Sequence, residues 1–294
     1  MLWILLAAVA APLQVARNAA QRGLVAKAGP WGATLVRFLF GLPVSLAIFA
    51  VASLLTPDAQ PQPTAVFWAG VGVGAIAQVL ATAALLVAMA RSGFAVATMM
   101  QQSSLPLAAL MGWLALGDDL SGLAWSGIAL ATAGLLVLSW PRAADGRAGV
   151  SGALLGLAAG AAFAVAFNGF RQAGLAFEPD HPLYAAAAAV VVAQALQSLV
   201  MTIWLAVTRP QALQAIRTDW RASLGAGLFG SAASVCWFGA LALAPAGPVR
   251  AVGLIEGPIA AMVGRRLFKE RLGLRRAAGG ALSAAGLLMV ALGA

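Results

Sequence analysis

A few amides, hydroxyls and one carboxylate stand inside segments that are otherwise apolar, and these are the side chains equipped for chemistry. Gln14, Arg17, Asn18 and Gln21 recur at i, i+3, i+4 and i+7, the spacing of one helical face. Such a stripe hydrogen-bonds a polar solute if it lines a cavity. The alternative is an interfacial helix end, with Arg17 snorkelling to the cytoplasmic headgroups. Thr98, Gln101 and Gln102 lie about one turn apart, and a glutamine facing lipid is too costly, so cavity lining is expected for them. Ser103 and Ser104 precede Pro106, and their hydroxyls are expected to satisfy the carbonyl that proline leaves unpaired. Glu256 is the one carboxylate well inside an apolar span, about 12 Å from Pro248 at about 1.5 Å per residue. Proton coupling is one role for it. A structural hydrogen bond, or an ion pair with Arg250 or Arg37, is the other. Trp237 lies mid-span beside Ser234 and Cys236, where an indole stacks on an apolar ligand or fills core. Gln78 and Asn168 extend the set of lining candidates, while Gln194 and Gln197 suit bridging between helices.

None of these groups assembles an enzyme. There is no nucleophile beside a base, no cluster of metal ligands and no phosphate cradle, so no catalytic residue, cofactor or metal is expected. The single cysteine, Cys236, precludes an intrachain disulfide, and the single histidine, His181, cannot anchor a histidine-based metal site alone.

The elements that position these residues follow from composition. Of 294 residues, 62% are hydrophobic and 9% charged, which excludes a water-soluble domain of this size. The expected solvent is lipid, where a spanning helix needs about 20 apolar residues. The pattern predicts an all-α integral membrane protein of ten transmembrane helices, near 2–22, 33–55, 66–90, 94–116, 123–140, 151–174, 183–207, 223–244, 248–268 and 274–293. Turn chemistry separates them at Gly29-Pro30, Pro57 to Pro63, Gly117-Asp118-Asp119, Glu178 to Pro182 and Arg209-Pro210. Asp118-Asp119 reads as a solvated turn. Gly152, Gly156 and Gly160 repeat every four residues, a spacing that lets helices approach closely.

The chain also repeats itself. Pro106 and Pro258 stand 152 residues apart, and the same offset pairs Gly127 with Gly279. It pairs the run Ala133, Gly134, Leu135, Leu136 with Ala285, Gly286, Leu287, Leu288. The polar stretch Pro141 to Gly149 divides five helices from five, giving repeats 1–145 and 146–294. An odd helix count per copy makes the two five-helix repeats inverted, with a substrate site expected between them.

The net charge of +9 sits at the ends of apolar segments and does not mark a nucleic-acid surface. One set of connections holds 15 Lys and Arg residues, while the opposite set holds Arg171 and Arg250. The richer set is expected in the cytoplasm, which places both termini on the outer side. Seven tryptophans, Trp31, Trp68, Trp113, Trp125, Trp140, Trp204 and Trp220, fall near helix ends, at headgroup level. Ala8-Val9-Ala10 resembles a leader-cleavage site, but no positive residue precedes it, so the first helix is expected to be retained.

The segments around both prolines resemble the drug/metabolite transporter superfamily, in its EamA-type branch. The first runs from Leu105-Pro106 through Gly117-Asp118 to Gly134, and the second from Gly257-Pro258 through Lys269-Glu270 to Gly286. Val36-Arg37-Phe38 is similar as well. Two departures stand out. Asp118 replaces a usual glutamate, and Gly257 separates Glu256 from the proline that many members place next to it. The resemblance implies export of small metabolites, among them amino acids and aromatic ones in particular. The whole reading is an exporter in a bacterial-type inner membrane, working by alternating access. Its partners are a small-molecule substrate and the lipid bilayer, and a monomer suffices. Gln14, Asn18, Gln78, Thr98, Gln101, Gln102, Asn168, Trp237 and Glu256 would meet the substrate, while Pro106 and Pro258 would help its gates rock. The competing reading is a proton-coupled multidrug or cation efflux pump, which needs Glu256.

Overall fold

A computed structural model of the chain describes residues 2–116, 121–139, 146–244, 249, 252–270 and 273–293. Asp118, Asp119, Trp140, Arg142, Arg250 and Arg271 lie outside the described residues. Every regular element among the described residues is helical. In order they are α1 (Leu2–Leu39), α2 (Leu42–Leu55), α3 (Ala65–Ser92), α4 (Phe94–Gln101), α5 (Ser104–Leu116) and α6 (Gly122–Ser139). There follow α7 (Gly146–Phe177), α8 (Pro182–Thr208), α9 (Pro210–Thr218), α10 (Trp220–Leu243), a 3-10 turn (Gly253–Ile255), α11 (Glu256–Leu267) and α12 (Leu274–Leu292). In lipid a helix satisfies its own backbone, which is why an apolar chain of this composition takes this form.

Five helical stretches, Leu2–Leu55, Ala65–Ser92, Arg147–Phe177, Pro182–Thr208 and Trp220–Leu243, are long and apolar enough to cross a membrane. The first has 54 residues, enough for two crossings. It bends at Gly29, whose φ of 70° and ψ of 171° are not helical, so the predicted Gly29-Pro30 boundary is a kink inside α1. Many leucines and valines on these helices are exposed, as a lipid-facing surface requires.

The chain forms two compact units. The first comprises residues 1–79 and 166–244, the second 80–165 and 245–294. In the first unit, α1 packs along α10, and α8 packs against both α2 and α10. Lys27 holds Asp219 at 2.8 Å, tying the end of the first α1 segment to the start of α10. The sequence pattern missed α9, reading Arg209-Pro210 as a turn alone. Proline occupies the first turn, where its missing N–H costs nothing, and Ala212 with Ile216 forms a one-turn buried stripe.

In the second unit, α6 and α12 pack antiparallel, and the contact is reciprocal. A Cβ added at Gly134 would meet the amide nitrogen of Ser283, and lie 2.8 Å from the Gly279 carbonyl oxygen. A Cβ added at Gly286 would meet the amide nitrogen of Ala131, and lie 2.6 Å from the Gly127 carbonyl oxygen. The sequence offset maps Gly134 to Gly286, Ala131 to Ser283 and Gly127 to Gly279. Residue i meets j′ and j meets i′, the signature of a local twofold axis through this helix pair.

Two predicted helices are not continuous. The segment 94–116 is interrupted at Gln102 and Ser103, between α4 and α5. The segment 248–268 carries the 3-10 turn at 253–255 before α11. Both interruptions fall at the same repeat position. Pro106 and Pro258 are each the third residue of the helix that follows. A first-turn N–H has no intrahelical partner, so a proline there breaks no helical bond. Each proline thus follows a tightened turn in which Gln102 and Ile255 keep right-handed helical angles.

Gly134→Val and Gly286→Val are expected to destabilise the fold to a similar degree, by about 1–3 kcal/mol each, because the added atoms meet backbone. Gly72→Ala, whose Cβ meets nothing within 4 Å, is expected to leave the thermal midpoint unchanged or slightly raised. Thermal unfolding of the three purified variants checks this.

Candidate functional site

The polar residues of α4 lie toward its broken end. Thr98 and Ser104 are fully buried, and Gln101, Gln102 and Ser103 are buried as well. Five of their atoms, Thr98 Oγ1, Gln101 Oε1, Gln102 Nε2, Ser103 Oγ and Ser104 Oγ, have no hydrogen-bond partner in the protein. The turn itself is tight. The amides of Gln102 and Ser103 donate to the carbonyls of Met99 and Met100 at 3.1 Å, and Leu107 N–H donates to Ser103 O at 3.2 Å. The serine hydroxyls do not satisfy a carbonyl freed by Pro106, contrary to the sequence expectation. A buried polar atom without a partner costs about 1–3 kcal/mol, so five within seven residues make this break the candidate site.

Two features hold the break in position within this unit. Along α7, the glycine ladder seats α4. A Cβ at Gly156 would lie 2.8 Å from Met100 Cβ, and one at Gly160 would meet Ser103 Oγ and lie 2.9 Å from the Gln101 carbonyl oxygen. Only a hydrogen at position 160 lets the break sit this close. At the other end of α4, Glu270 accepts hydrogen bonds from Phe94 N–H at 2.7 Å and Ala95 N–H at 3.1 Å. A carboxylate on a helix N-terminus satisfies orphan donors and complements the dipole. Gly93, at φ 91°, makes the turn that aims those donors. Met100 packs with Val96 and Leu135, and Met99 with Leu157 joins them.

The second repeat supplies a wall of the same unit. Glu256 is fully buried as the first residue of α11, which packs on α4. A Cβ on Gly257 would lie 3.7 Å from Gln102 Nε2, and one on Gly264 would lie 3.4 Å from Ala95 Cβ. The start of α11 thus faces the end of α4. Thr98, Gln101, Gln102, Glu256, Pro106 and Pro258 all belong to this unit.

The first unit has its own polar cluster. Trp237 Nε1–H donates to Gln14 Oε1 at 3.0 Å, joining α10 to α1. Arg17 donates to Asn18 Oδ1 from Nε at 3.1 Å and from Nη2 at 2.6 Å. Arg37 Nη2 donates to Ser234 Oγ at 3.2 Å. Arg17 is 1% exposed and Arg37 3%, so Arg17 is packed inside protein and does not snorkel. Both side chains pass Gly230, where an added Cβ would lie 2.9 Å from Arg37 Cγ and 3.3 Å from Arg17 Cδ. Gln21 Nε2 donates to Ala33 O at 2.7 Å across the α1 kink. Asn18 Nδ2 has no protein partner.

The remaining amides of this unit bridge helices. Gln197 Nε2 donates to Gln78 Oε1 at 3.0 Å and to Ala75 O at 2.9 Å. Gln194 Nε2 donates to Ser231 Oγ at 3.0 Å, and Gln194 also bonds Ser45. Asn168 is half-buried on α7. Sequence reasoning offered Arg37 as an ion-pair partner for Glu256 but not its bond to Ser234, and it missed Ser231 as a member of a buried network. It also missed the unsatisfied state of Ser103 and Ser104, which their proximity to Pro106 concealed.

Comparison with known proteins adds the family. Residues 1–140, and again 150–292, match the EamA-like transporter family. No curated protein matches the chain. A solved structure titled "Crystal structure of protein" shares 18% identity, covers 98% of this chain and 99% of its own, and superposes with a TM-score of 0.61. At that identity the likeness establishes the fold alone. The two family matches lie on either side of the Pro141–Gly149 stretch and establish a two-repeat architecture, in a helical protein built for a bilayer. The chain belongs to the EamA-like transporter family, and is a multi-pass membrane transporter of small substrates.

Proposed function

We propose that the protein exports small polar metabolites, amino acids foremost, from the cytoplasm across a bacterial-type inner membrane. The observation that carries this reading is the α4–α5 break, where five buried polar atoms lack protein partners. In an apolar protein such atoms call for a polar occupant that comes and goes. Thr98, Gln101 and Gln102 are the primary substrate contacts, with Glu256 beside them on α11. In the first unit, Asn18 has hydrogen-bonding capacity to spare, and Gln14, Gln78, Asn168 and Trp237 complete the polar set. The repeats 1–145 and 146–294 act as inverted halves that alternate access. The antiparallel, reciprocal α6–α12 contact supports that inversion. Pro106 and Pro258 start the half-helices at equivalent breaks, where a change of backbone angle has no helical bond to sever. The Lys and Arg bias supports ten crossings, with both termini on the outer side.

Counterflow in proteoliposomes tests the assignment. Gln101→Ala is expected to cut amino-acid exchange at least tenfold, the loss of about 1.4 kcal/mol or more of binding. Thr132→Ala removes an exposed hydroxyl that bonds only its own helix at Ile128 O, and is expected to leave exchange unchanged. Equal activity of the two variants would refute the cavity assignment. Gly160→Leu is expected to abolish exchange while Gly72→Ala does not, because only the first forces the break away from α7.

One observation favours a second reading, proton-coupled efflux of cations. Glu256 is a fully buried carboxylate at the head of α11. Under that reading, Glu256→Gln would abolish the dependence of flux on an imposed proton gradient. Under facilitated exchange, flux in the wild type responds to substrate gradient alone.

A further inference from the structure

We infer that Arg17 and Arg37, with Asn18, form a binding subsite for the carboxylate of a transported solute. The inference rests on the transport reading and narrows its substrate class to acids and zwitterions.

The packing of α10 on α1 brings the three residues together inside the first unit. Arg17 and Asn18 lie on the first segment of α1, and Arg37 lies on the second, beyond the Gly29 kink. Gly230 of α10 meets both arginine stems. A Cβ there would lie 2.9 Å from Arg37 Cγ and 3.3 Å from Arg17 Cδ, so the two stems run side by side. One turn further along α10, Ser234 Oγ accepts from Arg37 Nη2 at 3.2 Å. Trp237, next on that face of α10, holds Gln14, which stands one turn before Asn18.

Charge decides what belongs there. A guanidinium stays protonated when buried. The bonds to Asn18 and Ser234, and the Phe38 ring 5.3 Å from Arg37 Cζ, involve neutral groups and cancel no charge. Among the described residues, the buried charges within helices are Arg17, Arg37 and Glu256. Whatever else these three bond, two positive charges stand against one negative. An uncompensated charge inside a bilayer is costly. A monoanionic group that arrives with the solute removes the excess, whereas a solute bearing only an ammonium adds to it.

The donors fit a carboxylate. A guanidinium presents a planar fork of N–H groups that matches two carboxylate oxygens. Asn18 adds a neutral donor beside it. Its Oδ1 accepts from Arg17 Nε and Nη2, while its Nδ2 has no hydrogen-bond partner in the protein. The residue is 1% exposed, so that N–H group calls for an acceptor other than water. A carboxylate oxygen beside Arg17 is such an acceptor.

The test is the thermal midpoint of the purified full chain with leucine, phenylalanine, serine or glutamate, each against its α-carboxamide in the same buffer. An acid that fits is expected to raise the midpoint by about 2–4 °C over its amide, at concentrations well above its Kd. Asn18→Asp keeps the side-chain shape and places a fixed carboxylate beside Arg17. Without ligand it is expected to match or exceed the wild-type midpoint, and with acid to lose most of the rise. Arg37→Lys keeps the charge but not the fork, and is expected to weaken the apparent affinity for the acid at least tenfold. No rise with any acid overturns the inference, as does an equal rise with acid and amide, or a full rise in Asn18→Asp. Counterflow in proteoliposomes separates the two claims. Equal exchange of acids and amides retires the carboxylate subsite and leaves small-metabolite transport standing. Acid-specific stabilisation without exchange of any of these solutes keeps the subsite and retires the transport reading.

Discussion

A bilayer supplies no water to a polar group in its core, so every such group must find a partner in the protein or in what the protein carries. That constraint orders this structure. Most buried amides and hydroxyls meet it internally: Gln194 with Ser45 and Ser231, Gln197 with Gln78, Trp237 with Gln14, Gln21 with the Ala33 carbonyl. The α4–α5 break does not. There the backbone ladder tightens to two i→i+3 bonds, and five side-chain atoms are left unsatisfied within seven residues. Satisfying a carried polar solute is the task that would keep such a site in lipid.

The surroundings hold the break in place. The Gly156 and Gly160 positions of α7 bring a second helix against it without side chains in the way. Glu270 anchors the far end of α4 through two backbone amides, so the short helix is fixed at one terminus and interrupted at the other. The α6–α12 pair adds a reciprocal backbone contact between equivalent helices of the two repeats.

Much of this was legible in the sequence. The 152-residue offset pointed to the duplicated architecture and to the equivalence of Gly134 with Gly286, because close helix packing demands glycine at both sites. Thr98, Gln101 and Gln102 stood out because amides are costly in apolar spans. What was not legible was conformation. A proline three residues into a helix and a proline in mid-helix look alike in sequence, so the turn at Gln102 and Ser103 that ends α4 was not foreseen. The serines then seemed to serve the proline. Arg17 looked interfacial because its spacing from the helix end matched a snorkelling position, whereas α10 folds over it at Gly230. Glu270 carried the resemblance to the family without disclosing its task. Its role as a cap on α4 depends on a contact across 176 residues of sequence, which no local pattern encodes. The α9 helix escaped because nine residues with two buried positions leave too little periodicity to read.

The central claim is that the α4–α5 break lies on a water-accessible substrate path, and cysteine accessibility measures this most directly. In a Cys236→Ser background, the account predicts that Gln101→Cys in membranes reacts with a small, water-soluble methanethiosulfonate reagent, and that transported substrate slows the reaction. A cysteine at this position that stays unreactive in folded, transport-competent protein, with and without substrate, would contradict it.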